Sequence, residues 1–275
     1  MVKKFFRLKS GDKNFCRLYL PYKGAKNIPV IIYCHGWTKP ILGGGRIIAG
    51  TPKKVRDEAI KNGMAFLSFD QFGEYRTWGD NRYFTHARWG EGVNNVYEYI
   101  INSGLSKDGL IGCFGISSGT TAAFRMEQKY QKLAFIVSVA TAISNNIINP
   151  GGPRQFYLDN KEHLDNGGLV KYCYKKISKL FFEDDDKNLC IEHMEKVKCP
   201  TFFLQGSKDN DRRKQDALDG YEILKSYGIS TEYLLVEGGG HGLEERAQLC
   251  AEKTVEFVKR VLELKHHNQK HYYTG

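Results

Sequence analysis

Short apolar runs recur along the whole chain with helix-patterned stretches between them, and this alternation constrains the fold more than any other feature. The runs read "KKFFRL", "FCRLYL", "PVIIYCH", "AFLSFD", "LIGCFG", "LAFIVSVA", "TFFLQG" and "TEYLLVE". Strands separated by helices imply an α/β fold, a mostly parallel sheet of eight strands flanked by helices. Parallel neighbours need long crossovers, and the crossover helices pack back onto the sheet. "VIIYC" and "AFIVSVA" are almost continuously apolar, as strands buried on both faces are. The first two runs alternate more and are expected to form an antiparallel edge hairpin. A chain of 275 residues accommodates this architecture as one domain, 1–275.

The helices have legible ends. Thr51-Pro52 reads as an N-cap followed by proline, with Gly63 closing that helix. Further helical patterns run from about Glu91 to Ile101, from just after Ser117, and from Glu244 to about Leu264. Residues 144–196 break the rhythm. Ordinary connections in such folds take about 2–6 residues, so this stretch is read as a helical cap inserted over one end of the sheet. The polar tail "KHHNQKHYYTG" is expected to fray.

Composition narrows the partners. No run approaches the roughly 18 apolar residues of a membrane span, and the apolar part of the basic start, Phe5-Phe6, is too short for a signal peptide. The seven cysteines are scattered without a CxxC pair, which argues against a disulfide framework or zinc site and suits a reducing cytoplasm. Cys34 and Cys113 are expected as small buried hydrophobes. The net charge of +10 is spread along the chain rather than gathered in an aromatic-laced stripe. It is read as a source of solubility with some pull on anionic substrates, not as a nucleic-acid surface. A cytoplasmic monomer or homodimer acting on a small molecule is expected, with no metal, cofactor, nucleic acid or membrane.

The chemistry centres on "GISSG" at residues 115–119, between the strand "LIGCFG" and a helical pattern. Strand, G-x-S-x-G and helix in that order describe a sharp turn that lifts the central serine, Ser117, above the strand ends. Gly115 and Gly119 supply the clearance. No lysine follows as in a phosphate-binding G-K-[ST] loop. A serine nucleophile needs a base, and the base needs an orienting acid. Asp209 follows the strand "TFFLQG" in "SKDND", and His241 follows "TEYLLVE" in "GGGHG". Asp211 is the alternative acid, since it follows the same strand.

With "CHGW", "FDQFGEYR", "GISSG", "GSKD" and "GGGHG" in order at strand ends, the chain resembles the α/β-hydrolase superfamily over nearly its whole length. It is most similar to the dienelactone-hydrolase, prolyl-oligopeptidase and cinnamoyl/feruloyl esterase branches. It departs from them in "DQFGEYRTWGD", where many relatives carry D-x-x-G-x-G-x-S. The resemblance implies a Ser117–His241–Asp209 triad, with the backbone N–H groups of Trp37 and Ser118 as the oxyanion hole. It implies hydrolysis of a small carboxylic ester, with a feruloyl- or cinnamoyl-type acyl group as one option. An aminopeptidase- or acyl-peptidase-like activity and a non-catalytic ligand-binding homologue are the alternatives.

Other residues carry weaker signals. His35 is expected to support its loop rather than act as base, and His86, His163 and His193 to serve surface or cap roles. Trp78 and Trp89 either border the pocket or pack. Phe156, Tyr157, Tyr172, Tyr174, Phe181 and Phe182 either line an acyl site or seat the cap on the sheet. Arg212, Arg213 and Lys214 either attract a carboxylate or form a solvated helix face.

Overall fold

The computed structural model describes residues 1–37, 49–77, 79–144, 152–172, 175–187 and 190–272, without the side chains of 185–187 and 265–272. The first half of the chain forms β1 (Val2–Arg7), β2 (Phe15–Leu20), β3 (Val30–Cys34), α1 (Gly50–Lys61), β4 (Ala65–Phe69), α2 (His86–Asn102), β5 (Ile111–Ile116), α3 (Ser118–Tyr130) and β6 (Ile136–Val139). Between β6 and β9 lie α4 (Pro153–Asp159), α5 (Lys161–Asp165), β7 (Val170–Tyr172), β8 (Lys175–Ile177) and α6 (Lys179–Lys187). Then follow β9 (Thr201–Gly206), α7 (Asp211–Ser226), β10 (Thr231–Val236) and α8 (Ala247–Tyr272).

All eight apolar runs are strands of one sheet, in the order β1-β2-β4-β3-β5-β6-β9-β10. β1 pairs antiparallel with β2, and β2 with β4, giving the edge hairpin read from the alternating pattern. From β4 to β10 every pairing is parallel. Side chains of successive strand residues go to opposite faces. Ile32, Cys113, Ile136 and Phe203 therefore join Val93 and Val96 of α2 and Phe124 of α3 in one core. Ile31, Phe114, Val137 and Phe202 meet Val55 of α1 and Val255 and Val258 of α8 in the other. Cys34 and Cys113 are completely buried, as their apolar setting implied. No described helix is long and apolar enough to cross a membrane.

Four local readings need correction. Thr51 is not an N-cap: α1 begins at Gly50 after Ala49. The Thr51 hydroxyl instead donates to the carbonyl of Gly242, 2.6 Å away. The second helix starts a turn earlier than its apolar pattern, capped by Thr85, whose side chain accepts from Arg88 N. The stretch 144–196 is not purely helical, since β7 and β8 pair antiparallel within it. Two three-residue strands, each carrying lysines, leave no periodicity long enough to recognise. The tail does not end its helix at Leu264, because α8 runs to Tyr272.

The divergent loop after β4 is tied down by polar contacts. Arg17 makes two 2.9 Å bonds to the Asp70 carboxylate, both side chains being buried. The Thr77 hydroxyl donates to Asp70 O at 2.7 Å and accepts from Phe15 N at 2.9 Å. Trp89 Nε1 donates to Phe72 O at 3.1 Å. These bonds hold Asp70, Phe72 and Thr77 to β2 and α2.

Candidate active site

Parallel α/β sheets present their loops at the carboxyl ends of the strands, and the residues singled out in sequence gather there. Ser117 sits between β5 and α3 with φ 55° and ψ −129°, a conformation that favours glycine and is costly for serine. The surrounding backbone enforces it. A Cβ on Gly119 would overlap the Cys34 carbonyl, and one on Gly115 would lie 2.9 Å from Thr120 Cα. A Cβ on Gly36 would lie 2.8 Å from Ile116 O and 3.0 Å from Ser117 Cβ, so the β3 loop abuts the turn. Ser117 N donates to Val139 O at 2.9 Å, and Thr120 N to Ser117 O at 2.8 Å. Gly119→Ala is expected to cost about 1–3 kcal/mol as overpacking against backbone. Its urea midpoint should fall at unchanged m-value, and an unaltered midpoint would show that the β3 end yields freely.

Ser118 is the first residue of α3. Its N–H belongs to the set with no partner inside the helix, at the positive end of the helix dipole.

The loops that carry Asp209 and His241 are joined to each other. Asp209 accepts from His241 Nδ1 with its two carboxylate oxygens at 2.9 and 3.1 Å. It also accepts from Gln205 Nε2 at 3.0 Å and Asn210 N at 2.8 Å. Burial pushes this carboxyl up, but the bonds from His241 and Gln205, the His241 charge and the Asn210 N–H hold it below the ordinary carboxylate value. Ser207 N donates to Val236 O at 3.1 Å and Lys208 N to Gly239 O at 2.9 Å, extending the β9–β10 pairing into the loops. Gly206 allows this approach, since a Cβ there would overlap the carbonyls of Gly239 and Gly240. Thr51, through Gly242, pins the same loop from α1.

Asp211 does not compete. Its carboxylate is 99% exposed and pairs with Lys214 at 2.7 Å. Among the described residues no hydrogen bond joins Ser117 to His241, whose side chain is 48% exposed. Such bonds are commonly long in an empty site and tighten around substrate.

His35 is wholly buried. Gln71 N donates to its Nε2 at 3.1 Å, so the proton sits on Nδ1, which donates to Gly36 O at 2.7 Å. Burial pushes its pKa down, leaving a neutral ring that supports the loop. His86 is buried among Phe84, Trp89 and Phe181. His163 bonds within its own turn to Leu169 O at 3.3 Å, and His193 faces Glu195 at 3.8 Å. Trp89 is fully buried packing, while Trp78 and Tyr174 lie outside the described residues. Arg212 and Arg213 each reach buried Asp216 at 2.9 Å. Asp216 also accepts from Ile143 N at 3.3 Å and from the Ser144 hydroxyl, fastening the segment after β6.

An aromatic cluster joins this end of the sheet to the segment between β6 and β9. Trp37 meets Phe84, Tyr172 and Phe181 edge-on at 5.1, 5.5 and 5.5 Å. Phe156 lies 4.9 Å from Tyr172, and Phe181 lies 5.1 Å from Phe182. Phe181, Phe182 and Tyr157 are buried by this packing, whereas Trp37, Phe156 and Tyr172 keep accessible surface. The sequence does not mark Gln205, which holds Asp209 from four residues before it, nor Thr51, Asp216 and the Glu74–Lys175 pair, which act across long sequence separations.

Comparison with known proteins places this geometry in context. A family profile described as BAAT / Acyl-CoA thioester hydrolase C terminal matches residues 93–247. No curated protein matches the sequence. Among solved structures, Est1E from Butyrivibrio proteoclasticus aligns with TM-score 0.68 at 14% identity, covering 96% of this chain and 100% of its own. Another Est1E structure has ferulic acid bound. The α/β hydrolase GrgF from Penicillium sp. sh18 aligns at 0.75 and 14% identity, with 96% and 100% covered. A puromycin-hydrolyzing peptidase of Mycobacterium tuberculosis aligns at 0.69 and 14% identity over 94% of this chain but 39% of its own.

Proposed function

Since the chain belongs to the BAAT / acyl-CoA thioester hydrolase C-terminal family and is an α/β hydrolase, we propose that it cleaves a small carboxylic ester through an acyl-enzyme on Ser117. The observation that carries this reading is the buried Asp209 carboxylate bonded to His241 Nδ1, on the loops after β9 and β10, at the same sheet end as a serine held in a strained turn after β5. Asp209 accepts from His241 Nδ1 and so leaves Nε2 as the proton acceptor. His241 takes the Ser117 proton as Oγ attacks the acyl carbonyl, and returns it to the departing alcohol. The N–H groups of Ser118 and Trp37 receive the oxyanion, and each such donor is worth about 2.7–4 kcal/mol in the transition state. Water then enters by the same route and releases the acid.

The segment 144–196 acts as a cap over this site. The accessible faces of Trp37, Phe156 and Tyr172 favour an aromatic acyl group, and the bound ferulic acid of the Est1E relative supports that preference by analogy. The family's description favours a second reading, an acyl thioester, which the same acyl-enzyme chemistry would accept.

A fluorophosphonate probe tests the proposal. Mass analysis should place a single adduct on Ser117, lost after denaturation before labelling. A native protein that stays unlabelled would rule out the nucleophile. Among substrates, p-nitrophenyl acetate and aryl-acyl esters should turn over while aminoacyl naphthylamides do not; the reverse order would favour a peptidase.

A further inference from the structure

We infer that the buried Glu74–Lys175 ion pair is a positioning device, through which the segment between β6 and β9 sets the direction of the Trp37 N–H. This rests on the reading of Trp37 as an oxyanion donor. Lys175 Nζ lies 2.7 Å from Glu74 Oε1, and neither side chain has any exposed surface. Among the described residues no hydrogen bond supplements this ion pair at the Glu74 carboxylate. The ammonium also faces Gly73 O at 3.5 Å and lies 5.9 Å and 5.4 Å from the Trp37 and Phe84 ring centroids. A dehydrated pair gains little stability over apolar residues of the same volume. Its use here is geometric: it holds a β8 side chain against the divergent loop after β4.

From Glu74 a short relay leads to the oxyanion loop. Glu74 N donates to Gln71 O at 3.0 Å, closing a tight turn. Gln71 N donates to His35 Nε2 at 3.1 Å, which assigns the ring proton to Nδ1. Nδ1 donates to Gly36 O at 2.7 Å. The Gly36 carbonyl and the Trp37 N–H are the two ends of one planar trans peptide, so holding the carbonyl aims the N–H the opposite way. The same ammonium sits against the Trp37 ring. Lys175 thus acts on residue 37 from both sides, through the turn and through the indole.

The test uses the full-length protein and two variants. Glu74→Gln/Lys175→Met removes both charges and leaves neither unpaired. Glu74→Asp keeps both charges and withdraws the carboxylate by one methylene. Three readouts are followed: p-nitrophenyl acetate kinetics, the fluorophosphonate labelling rate of Ser117, and the inhibition constant of a trifluoromethyl ketone, whose hemiketal oxygen occupies the oxyanion position.

A folded double variant is expected to lose about 10- to 100-fold in kcat, the scale of a misplaced reacting group, with KM within about twofold. Ketone affinity should fall in parallel. Glu74→Asp should lose about 3- to 10-fold in kcat with the thermal midpoint nearly kept, and it decides the question if the double variant does not fold. A merely structural clamp would lower the thermal midpoint and leave kcat and ketone affinity alone, which overturns the inference. A parent unlabelled at Ser117 would overturn both the hydrolase mechanism and this inference; a labelled parent with unaffected variants overturns this inference only.

Discussion

Ser117→Ala is expected to lower kcat for ester hydrolysis by about five to six decades, as removal of the nucleophile does in serine hydrolases. At about 1.4 kcal/mol per decade this is roughly 7–8 kcal/mol of lost transition-state stabilisation. The neighbouring hydroxyl sets the control. Ser118 opens α3 and is expected to contribute its main-chain N–H, which alanine retains. Ser118→Ala should therefore keep kcat within about threefold, because only a side chain outside the bond-making steps is lost. Alanine at 117 also keeps the Val139 and Thr120 backbone bonds, so both variants should unfold at nearly the parental midpoint. Steady-state rates per mole of folded protein check the contrast. A Ser117→Ala protein retaining a tenth of the parental rate would remove the nucleophile assignment.

The second large effect is expected at the acid. Asp209→Asn should lower kcat by about four decades, because an amide can present N–H where the carboxylate accepts from Nδ1, and the wrong imidazole tautomer then faces the serine. Asp211→Asn should leave kcat nearly unchanged, since that carboxylate is solvent-exposed and paired with Lys214. Equal losses at the two positions would show that the acid loop rearranges around substrate. The Asp209 carboxyl is held below its ordinary value, with a consequence for stability. Its contribution is present above the unfolded carboxylate value of about 3.9 and is lost as pH falls through the lower folded value. In Asp209→Asn that acid-side loss should disappear from the pH dependence of the urea midpoint.

The parts of the fold legible in sequence are those whose cause is local. A strand buried on both faces must be apolar throughout, so "VIIYC" and "AFIVSVA" announced the centre of the sheet. Gly115 and Gly119 are required by backbone a few residues away in sequence or on the neighbouring strand, so "GISSG" marked the turn. The pairing of Asp209 with His241 was legible because strand ends and flanking glycines carry their own signal. Thr51 misled for the opposite reason: a threonine before a proline looks like a cap, yet its hydroxyl is taken by Gly242, far along the chain. Lys175 looked like one basic residue among many, and only folding brings it to Glu74. The β7–β8 pair was hidden because three residues cannot display a period.

The zipping of the β9 and β10 loops has a mechanical consequence. Among the described residues β10 is the outermost strand of its side of the sheet, paired with β9 alone. Asp209 and His241 therefore travel as one unit on a margin, while Ser117 is anchored beside the central strands. Mild heating that frays the margin would separate the proton acceptor from the serine without disturbing the Asp209–His241 bond or the two cores. Activity would then fade before the molecule melts, and its loss would be reversible on cooling, like a hinge swinging open and shut.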